Sequence, residues 1–188
     1  MKNFWIRVLD IILSTGALIL WSPVMLIICL VLLIFNGPGP IIYKRRSIGK
    51  NGKIFWLYKF RTMNHAAENG SPWEKELNRI TPCGRILRKF SLDELPQLIN
   101  IIKGDMHFIG LNALKPSEAA LYGDEDKNWR FIDKPGLTGP VQLTSGNDLL
   151  SFDKRKEIEY NYTIKKNFWF DLKLFGRTWW YIFGGRNK

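Results

Sequence analysis

The sequence predicts an α+β protein in two parts. Residues 1–40 form an apolar membrane element. Residues 41–188 form a compact, mostly helical domain with a small β-hairpin and amphipathic helices suited to a membrane interface. Three observations predict this. No charged residue occurs from Ile11 to Tyr43. An Asn51-Gly52 turn separates two strand-like runs. From Thr81 onward, apolar residues recur at helical spacing between recognisable cap and stop signals.

The most apolar part of the membrane element, Ile11 to Phe35, would be about 37 Å long as a straight helix, against a hydrocarbon core of about 30 Å. It is too long, and lacks the small-residue cleavage site, for a signal peptide. Ser22-Pro23 lies near its middle. Proline removes a backbone donor and crowds the preceding turn, so a sharp bend is expected there, with the serine hydroxyl available to the freed carbonyl. Lys2 and Arg7 precede the run, and Lys44, Arg45 and Arg46 follow it. Cations at both ends favour one cytoplasmic side for both. A re-entrant hairpin satisfies that preference; a kinked single-pass anchor is the alternative.

After Asn36-Gly37-Pro38-Gly39-Pro40, the segments Ile41–Arg46 and Lys53–Met63 read as strands joined at Gly49-Lys50-Asn51-Gly52. Phe55, Leu57, Lys59 and Arg61 share one face by period two. Lys59 and Arg61 are thus candidates for anion binding, or else ordinary solvated charges. Residues 64–78 are polar and read as a surface loop. Thr81-Pro82 starts a helix as N-cap and N1, with Arg85, Arg88 and Lys89 on its basic side. Ser91 and Glu94 form a capping-box pattern ahead of Leu95, Leu98, Ile99 and Ile102, and Gly104 supplies the stop. Asp93 is then expected in a first helical turn near Arg88 and Lys89, which would keep it ionised. An ionised carboxylate can act as a nucleophile toward phosphorus. Asp105 reads as a turn aspartate, with a metal-binding or hydrogen-bonding carboxylate as the alternative, and His107 reads as incidental and not as a ligand. Pro135-Gly136-Leu137-Thr138-Gly139-Pro140 reads as a rigid loop followed by Gln142, an uncharged candidate for substrate contact. Phe168 to Phe183 places eight aromatics in sixteen residues, interrupted by Asp171, Lys173 and Arg177. That pattern suits a helix at the headgroup level, with a helix buried against the core as the alternative.

The composition narrows the function. Lys plus Arg number 28 against 17 Asp plus Glu, a formal charge of +11. With 46% hydrophobic residues the chain is not a disordered polycation. The charge points to an anionic nucleotide, lipid or nucleic-acid partner. No nucleic-acid reader motif accompanies it, and the aromatics cluster with the membrane features. Cys29, Cys83, His65 and His107 have no zinc-ligand spacing.

An ordered set of motifs carries a resemblance. It comprises Ser22-Pro23, the turn from Gly49 to Phe55, Tyr58-Lys59-Phe60-Arg61-Thr62-Met63, and Arg85 to Arg88. It continues through Ser91 to Asn100, Lys103-Gly104-Asp105-Met106, and Pro135 to Gly139 with Gln142. Together these resemble the bacterial sugar transferases, specifically the small monotopic phosphoglycosyl transferases.

The resemblance implies a re-entrant membrane helix hairpin with a catalytic domain on the cytosolic face of the bacterial inner membrane. It implies Mg²⁺-dependent transfer of a sugar phosphate from a nucleotide sugar, with uridine as the nucleotide, to a polyprenol phosphate. Asp93 would be the nucleophile and form an aspartyl phosphosugar. Glu94 would assist with the metal and proton, the metal being held by Asp93 and Glu94. Lys59, Arg61, Arg88 and Gln142 would contact substrate or phosphate. The chain departs from the pattern at Leu111-Asn112-Ala113, where relatives carry Pro-Arg-Pro, and at Gly146, where they carry arginine. Lys115 is the cation placed to substitute for one. The alternative function is a non-catalytic, membrane-docked relative that binds polyprenol phosphate or a glycan-assembly partner. Oligomeric state is left open.

Overall fold

The computed structural model describes residues 2–37, 39–63, 79–144 and 150–183. The predicted surface loop at 64–78 and the Gly146 position lie outside the described residues. The chain is mixed α and β, with seven helices and two small sheets among those residues.

Helix α1 (Lys2–Phe35) is long and apolar enough to cross a membrane. The expected break at Ser22-Pro23 does not divide it into two elements. Pro23 cannot donate to the carbonyl of Ile19, and the Ser22 hydroxyl donates to that same oxygen at 2.8 Å. This local substitution lets the helix continue through the proline.

One stripe of α1 packs along the rest of the fold. The Arg7 guanidinium donates to the carbonyls of Ile101 and Ile102. Ala17 and Leu18 pack against the core of Leu57, Leu98, Ile101 and Met106. Ile28 and Leu32 join Phe60 and Leu87 in a second cluster. At the end of the helix, Asn36 Nδ2 donates to the carbonyl of Arg61 at 3.0 Å. The opposite face, including Ile12, Ile19, Leu20, Leu26, Leu33 and Ile34, is exposed.

Strands β1 (Ile42–Ile48) and β2 (Ile54–Phe60) pair antiparallel, from Ile42 opposite Phe60 to Ile48 opposite Ile54. The connection contains the predicted turn, with Asn51 at φ 54° and Gly52 at φ 75°. The second strand ends earlier than the sequence suggested, because Arg61 turns back toward α1. The outer edge of β2 is closed by one buried side chain. Asn100 Oδ1 accepts from Tyr58 N at 3.0 Å, and its Nδ2 donates to Trp56 O at 2.7 Å. Replacing Asn100 with leucine leaves both backbone groups without those partners. The variant is expected to lose about 1–3 kcal/mol of unfolding free energy, measured by denaturant titration in detergent.

Helix α2 (Pro82–Lys89) begins as predicted: Thr81 Oγ1 accepts from Gly84 N at 3.0 Å, with Pro82 in the first turn. The predicted Ser91–Glu94 capping box does not form. Ser91 is left-handed at φ 55° and its side chain caps nothing; Leu92–Glu94 make a 3₁₀ turn. Helix α3 (Gln97–Lys103) starts only after Pro96 and ends at left-handed Gly104. Thus Asp93 precedes the helix rather than opening it.

Strand β3 (His107–Ile109) pairs parallel with β4 (Gly136–Thr138). The segment read as a loop at 135–140 is therefore partly strand. Its glycines have a steric reason. A Cβ on Gly136 would stand 2.0 Å from Gly110 N, and one on Gly139 would stand 2.0 Å from Gly110 O.

Helices α4 (Pro116–Ala119), α5 (Asp124–Arg130) and α6 (Phe152–Lys165) complete the body. The last helix, α7 (Phe168–Phe183), packs Leu174 beside Leu111 and Tyr162 and sets Phe175 edge-on to Phe108. Trp169 and Trp180 point outward and are largely exposed. The side chains of Trp179 and Tyr181 lie outside the described residues.

Candidate active site

The 3₁₀ turn after α2 carries Asp93 inward, where it is 7% exposed, and leaves Glu94 at the mouth. The left-handed Ser91 makes this abrupt reversal, and Pro96 then limits how far the following helix extends back toward it. Lys59, near the end of β2, reaches across to Glu94 with Nζ 2.5 Å from Oε1. Arg88, in the last turn of α2, is oriented by Thr62, whose hydroxyl accepts from Arg88 Nε at 2.9 Å. Three separate elements thus bring two carboxylates and two cations together.

Burial pushes the Asp93 carboxyl above its ordinary range, and the charge of Glu94 pushes it further. Lys59, Arg88 and a backbone hydrogen bond oppose the shift without cancelling it. The sequence expectation of a carboxylate held ionised by a helix terminus is corrected on this point. No helix terminus lies beneath Asp93, and desolvation dominates. The arrangement can bind a dianionic phosphate group beside a desolvated carboxylate.

The other candidates separate. Arg61 is buried, and its Nη2 donates to the carbonyls of Asn36 at 3.1 Å and Gly37 at 2.8 Å. It joins the end of α1 to the end of β2. Gln142, beyond β4, donates from Nε2 to Asn112 Oδ1 at 3.1 Å. Its amide therefore meets the residue that stands in place of an arginine. Lys115 precedes α4, where its backbone N–H is taken by Glu118. Asp105 accepts from Asn100, in keeping with a turn residue.

Sequence reasoning missed two residues here. Thr62 aligns Arg88, but a lone threonine after a strand carries no signal for that role. Asp10 was passed over as the last charge before the apolar run. It is buried and accepts from His107, Nδ1 to Oδ2 at 2.5 Å, while His107 Nε2 lies 3.5 Å from Asp133. Burial alone would lower the His107 pKa; its contacts with the two carboxylates outweigh burial and raise it.

Among the described residues, no group of three or more His, Cys, Asp and Glu side chains surrounds a common point. Asp93 and Glu94 nonetheless offer adjacent hard oxygen donors. Mg²⁺ is commonly held by one or two carboxylates together with substrate phosphates and water, so this donor set fits the ion.

Comparison with known proteins agrees with the motif reading. The family model for bacterial sugar transferase matches residues 1–185. The undecaprenyl-phosphate galactose phosphotransferase of Salmonella typhimurium is 35% identical over 94% of this chain and 40% of its own length. The UDP-N-acetylgalactosamine-undecaprenyl-phosphate N-acetylgalactosaminephosphotransferase of Aeromonas hydrophila is 33% identical over 92% of this chain and 42% of its own. The chain thus spans about two fifths of these relatives. The exopolysaccharide production protein ExoY of Rhizobium meliloti is 34% identical over 92% of this chain and is itself covered over 82%.

Proposed function

The chain belongs to the bacterial sugar transferase family, and from that premise we propose that it moves a sugar 1-phosphate from a uridine diphosphate sugar to a polyprenol phosphate. The reaction would start a lipid-linked glycan. The observation that carries this reading is the buried Asp93 carboxyl set among Glu94, Lys59 and Arg88. The names of the relatives support the two substrates: several name undecaprenyl phosphate, and two of them name a UDP sugar.

In the proposed mechanism, Lys59 and Arg88 attract the diphosphate of the donor. An Asp93 carboxylate oxygen attacks the phosphorus that carries the sugar. A new oxygen–phosphorus bond forms, and the bond to the nucleoside monophosphate breaks, that product taking the electron pair. A phosphate oxygen of the polyprenol phosphate then attacks the same phosphorus and releases the Asp93 carboxylate. Glu94 takes the proton of a monoprotonated acceptor. Two bulky anions thereby use one pocket in turn. Mg²⁺ is the proposed cofactor, with Glu94 and Asp93 as its protein donors, where it would neutralise carboxylate and phosphate together.

The same reading seats the chain on the cytosolic face of the bacterial inner membrane. A helix crossing a bilayer puts its ends on opposite sides, about 30 Å apart. Here Arg7 near one end and Asn36 at the other both bond to the same folded body. That supports a re-entrant α1 with its exposed apolar face in lipid and α7 at the interface.

The test is intact-mass measurement of the detergent-purified chain after incubation with a panel of nucleotide sugars and Mg²⁺. One of them is expected to add the mass of a sugar phosphate and to release its nucleoside monophosphate. The second reading, a non-catalytic relative, is favoured by Asn112, which stands where the resemblance implies an arginine and instead accepts from Gln142. It prevails if no nucleotide sugar yields either product.

A further inference from the structure

At the far end of α3 from Asp93, two cations converge where, among the described residues, no carboxylate lies within ion-pair distance of either. Gly104 closes that helix, and a methyl group built on it would stand 3.4 Å from Arg7 Nη2 and 3.7 Å from Lys134 Nζ. The two positive groups therefore face one small volume above a residue that leaves it open. Part of Arg7 is explained by its bonds to the helix carbonyls of Ile101 and Ile102. Those bonds do not account for Lys134. Among the described residues, its ammonium has no carboxylate within ion-pair distance. The nearby acids are engaged elsewhere: Asp10 with His107, and Asp133 with His107 and Lys166. Burial pushes the Lys134 ammonium below its usual range; Arg7 and Lys50 add to the shift, and Asp10 and Asp133 oppose it. The carbonyls take up part of Arg7, and Asp10 and Asp133 offset part of the Lys134 charge, yet two like charges held this close, one of them partly desolvated, still favour an anion between them.

We propose that Arg7 and Lys134 form a second phosphate site, separate from the catalytic pocket, which takes the phosphate of an anionic phospholipid headgroup. Depth argues for a lipid source. Arg7 precedes the start of the uncharged run at Ile11 by one helical turn, so with α1 embedded it stands at the headgroup layer, where anionic lipids gather basic side chains. Separation argues for a distinct site. The seven-residue α3 alone contributes about 10 Å between Gly104 and the turn that holds Asp93. The site rests on the bilayer seating of α1 proposed above and not on the chemistry at Asp93. A bound headgroup would tie the start of α1 to the C-terminal end of α3 and so fix the domain's height over the membrane.

The experiment uses the whole chain in neutral detergent, titrated with short-chain phosphatidylglycerol, with phosphatidylcholine, or with inorganic phosphate, while the thermal unfolding midpoint is followed. Phosphatidylglycerol is expected to raise the midpoint at lower concentration than phosphatidylcholine. Lys134→Gln should weaken that response about tenfold, the loss of one charge-assisted contact. Lys134→Arg should retain it, and Lys127→Gln, an exposed lysine paired with Asp124, should leave it unchanged. Equal responses from wild type and Lys134→Gln would overturn the site. Saturation by inorganic phosphate with no advantage for phosphatidylglycerol would support a phosphate site and overturn the lipid as its source. Flotation of wild type and Lys134→Gln with phosphatidylcholine vesicles reads the seating of α1 separately, and failure of the wild type to float would overturn the lipid source as well. Adduct formation on Asp93 reads the transferase chemistry, so the three failures are distinguishable.

Discussion

Asp93→Asn is expected to abolish sugar-phosphate transfer and, at the same time, to raise the thermal midpoint at neutral pH. The two effects have one origin. Asp93 is nearly enclosed, and its carboxyl is raised by burial and then by Glu94. A folded-state pKa above the unfolded value means that folding disfavours the ionised form. At low pH, where both states are protonated, this costs nothing. As pH rises past the unfolded value the penalty grows, and it is complete above the folded value. Asparagine has a similar shape and no charge, so it removes the penalty at pH 7. It also removes the attacking oxygen anion, and loss of an essential nucleophile costs on the order of 10⁴-fold or more in turnover. Glu94→Gln is expected to be milder, about 10²–10⁴-fold, because a positioned proton carrier contributes on that scale. It should still permit a slow mass increase on Asp93. Steady-state release of nucleoside monophosphate and differential scanning measurements on the same samples check both halves. An Asp93→Asn protein that turns over normally would remove Asp93 as the nucleophile, and one that melts lower would contradict the desolvation argument.

The parts of this fold that were legible in the sequence are those set by neighbours along the chain. Thr81 caps α2 because threonine and proline suit that position locally. Asn51 and Gly52 turn the hairpin because both tolerate positive φ. Gly104 ends α3 for the same reason. The misreadings arose where a distant partner competes for the same group. Glu94 has the spacing of a capping glutamate, yet Lys59, thirty-five positions earlier, holds it instead. Arg61 shares a face with Phe55, Leu57 and Lys59 by period two, and that spacing carries no sign of the carbonyls at the end of α1 to which it donates. The parallel pairing of β3 with β4 was illegible because three-residue strands are too short to show a period. Within the candidate site, Asp93 and Glu94 were singled out by their motif. Their electrostatic surroundings depend on how Thr62, Arg88 and Lys59 assemble, which no local spacing encodes.

Glu159→Leu is expected to destabilise the protein more than any substitution at the active site. Glu159 is fully buried in α6, and Arg130, at the end of α5, is 4% exposed. Arg130 Nε stands 2.7 Å from one carboxylate oxygen, and Nη2 donates to the other at 3.0 Å. Tyr122 donates to the same carboxylate at 2.8 Å, and burial followed by the charge of Glu159 pushes its hydroxyl up to about 12. Leucine fills similar space but leaves a guanidinium buried without its counter-charge. Breaking such a pair costs about 3–5 kcal/mol, equivalent to a fall of order 10 °C in midpoint for a chain of this size. The loss should come from the stranded charge and not from the absence of the attraction itself. The double variant Arg130→Met with Glu159→Leu therefore tests the cause: it should recover much of the stability. If the double variant is as unstable as Glu159→Leu, the packing around the pair, and not the unpaired charge, sets the cost. The consequence also reaches Asn112 and Gln142. Arg130 Nη2 donates to the carbonyl of Asn112 at 2.7 Å, and the side chain of Asn112 accepts from Gln142. Losing Arg130 should therefore loosen the segment that carries Asn112. Donor KM is expected to rise in the double variant even where stability returns, while the mass adduct on Asp93 still forms at saturating donor.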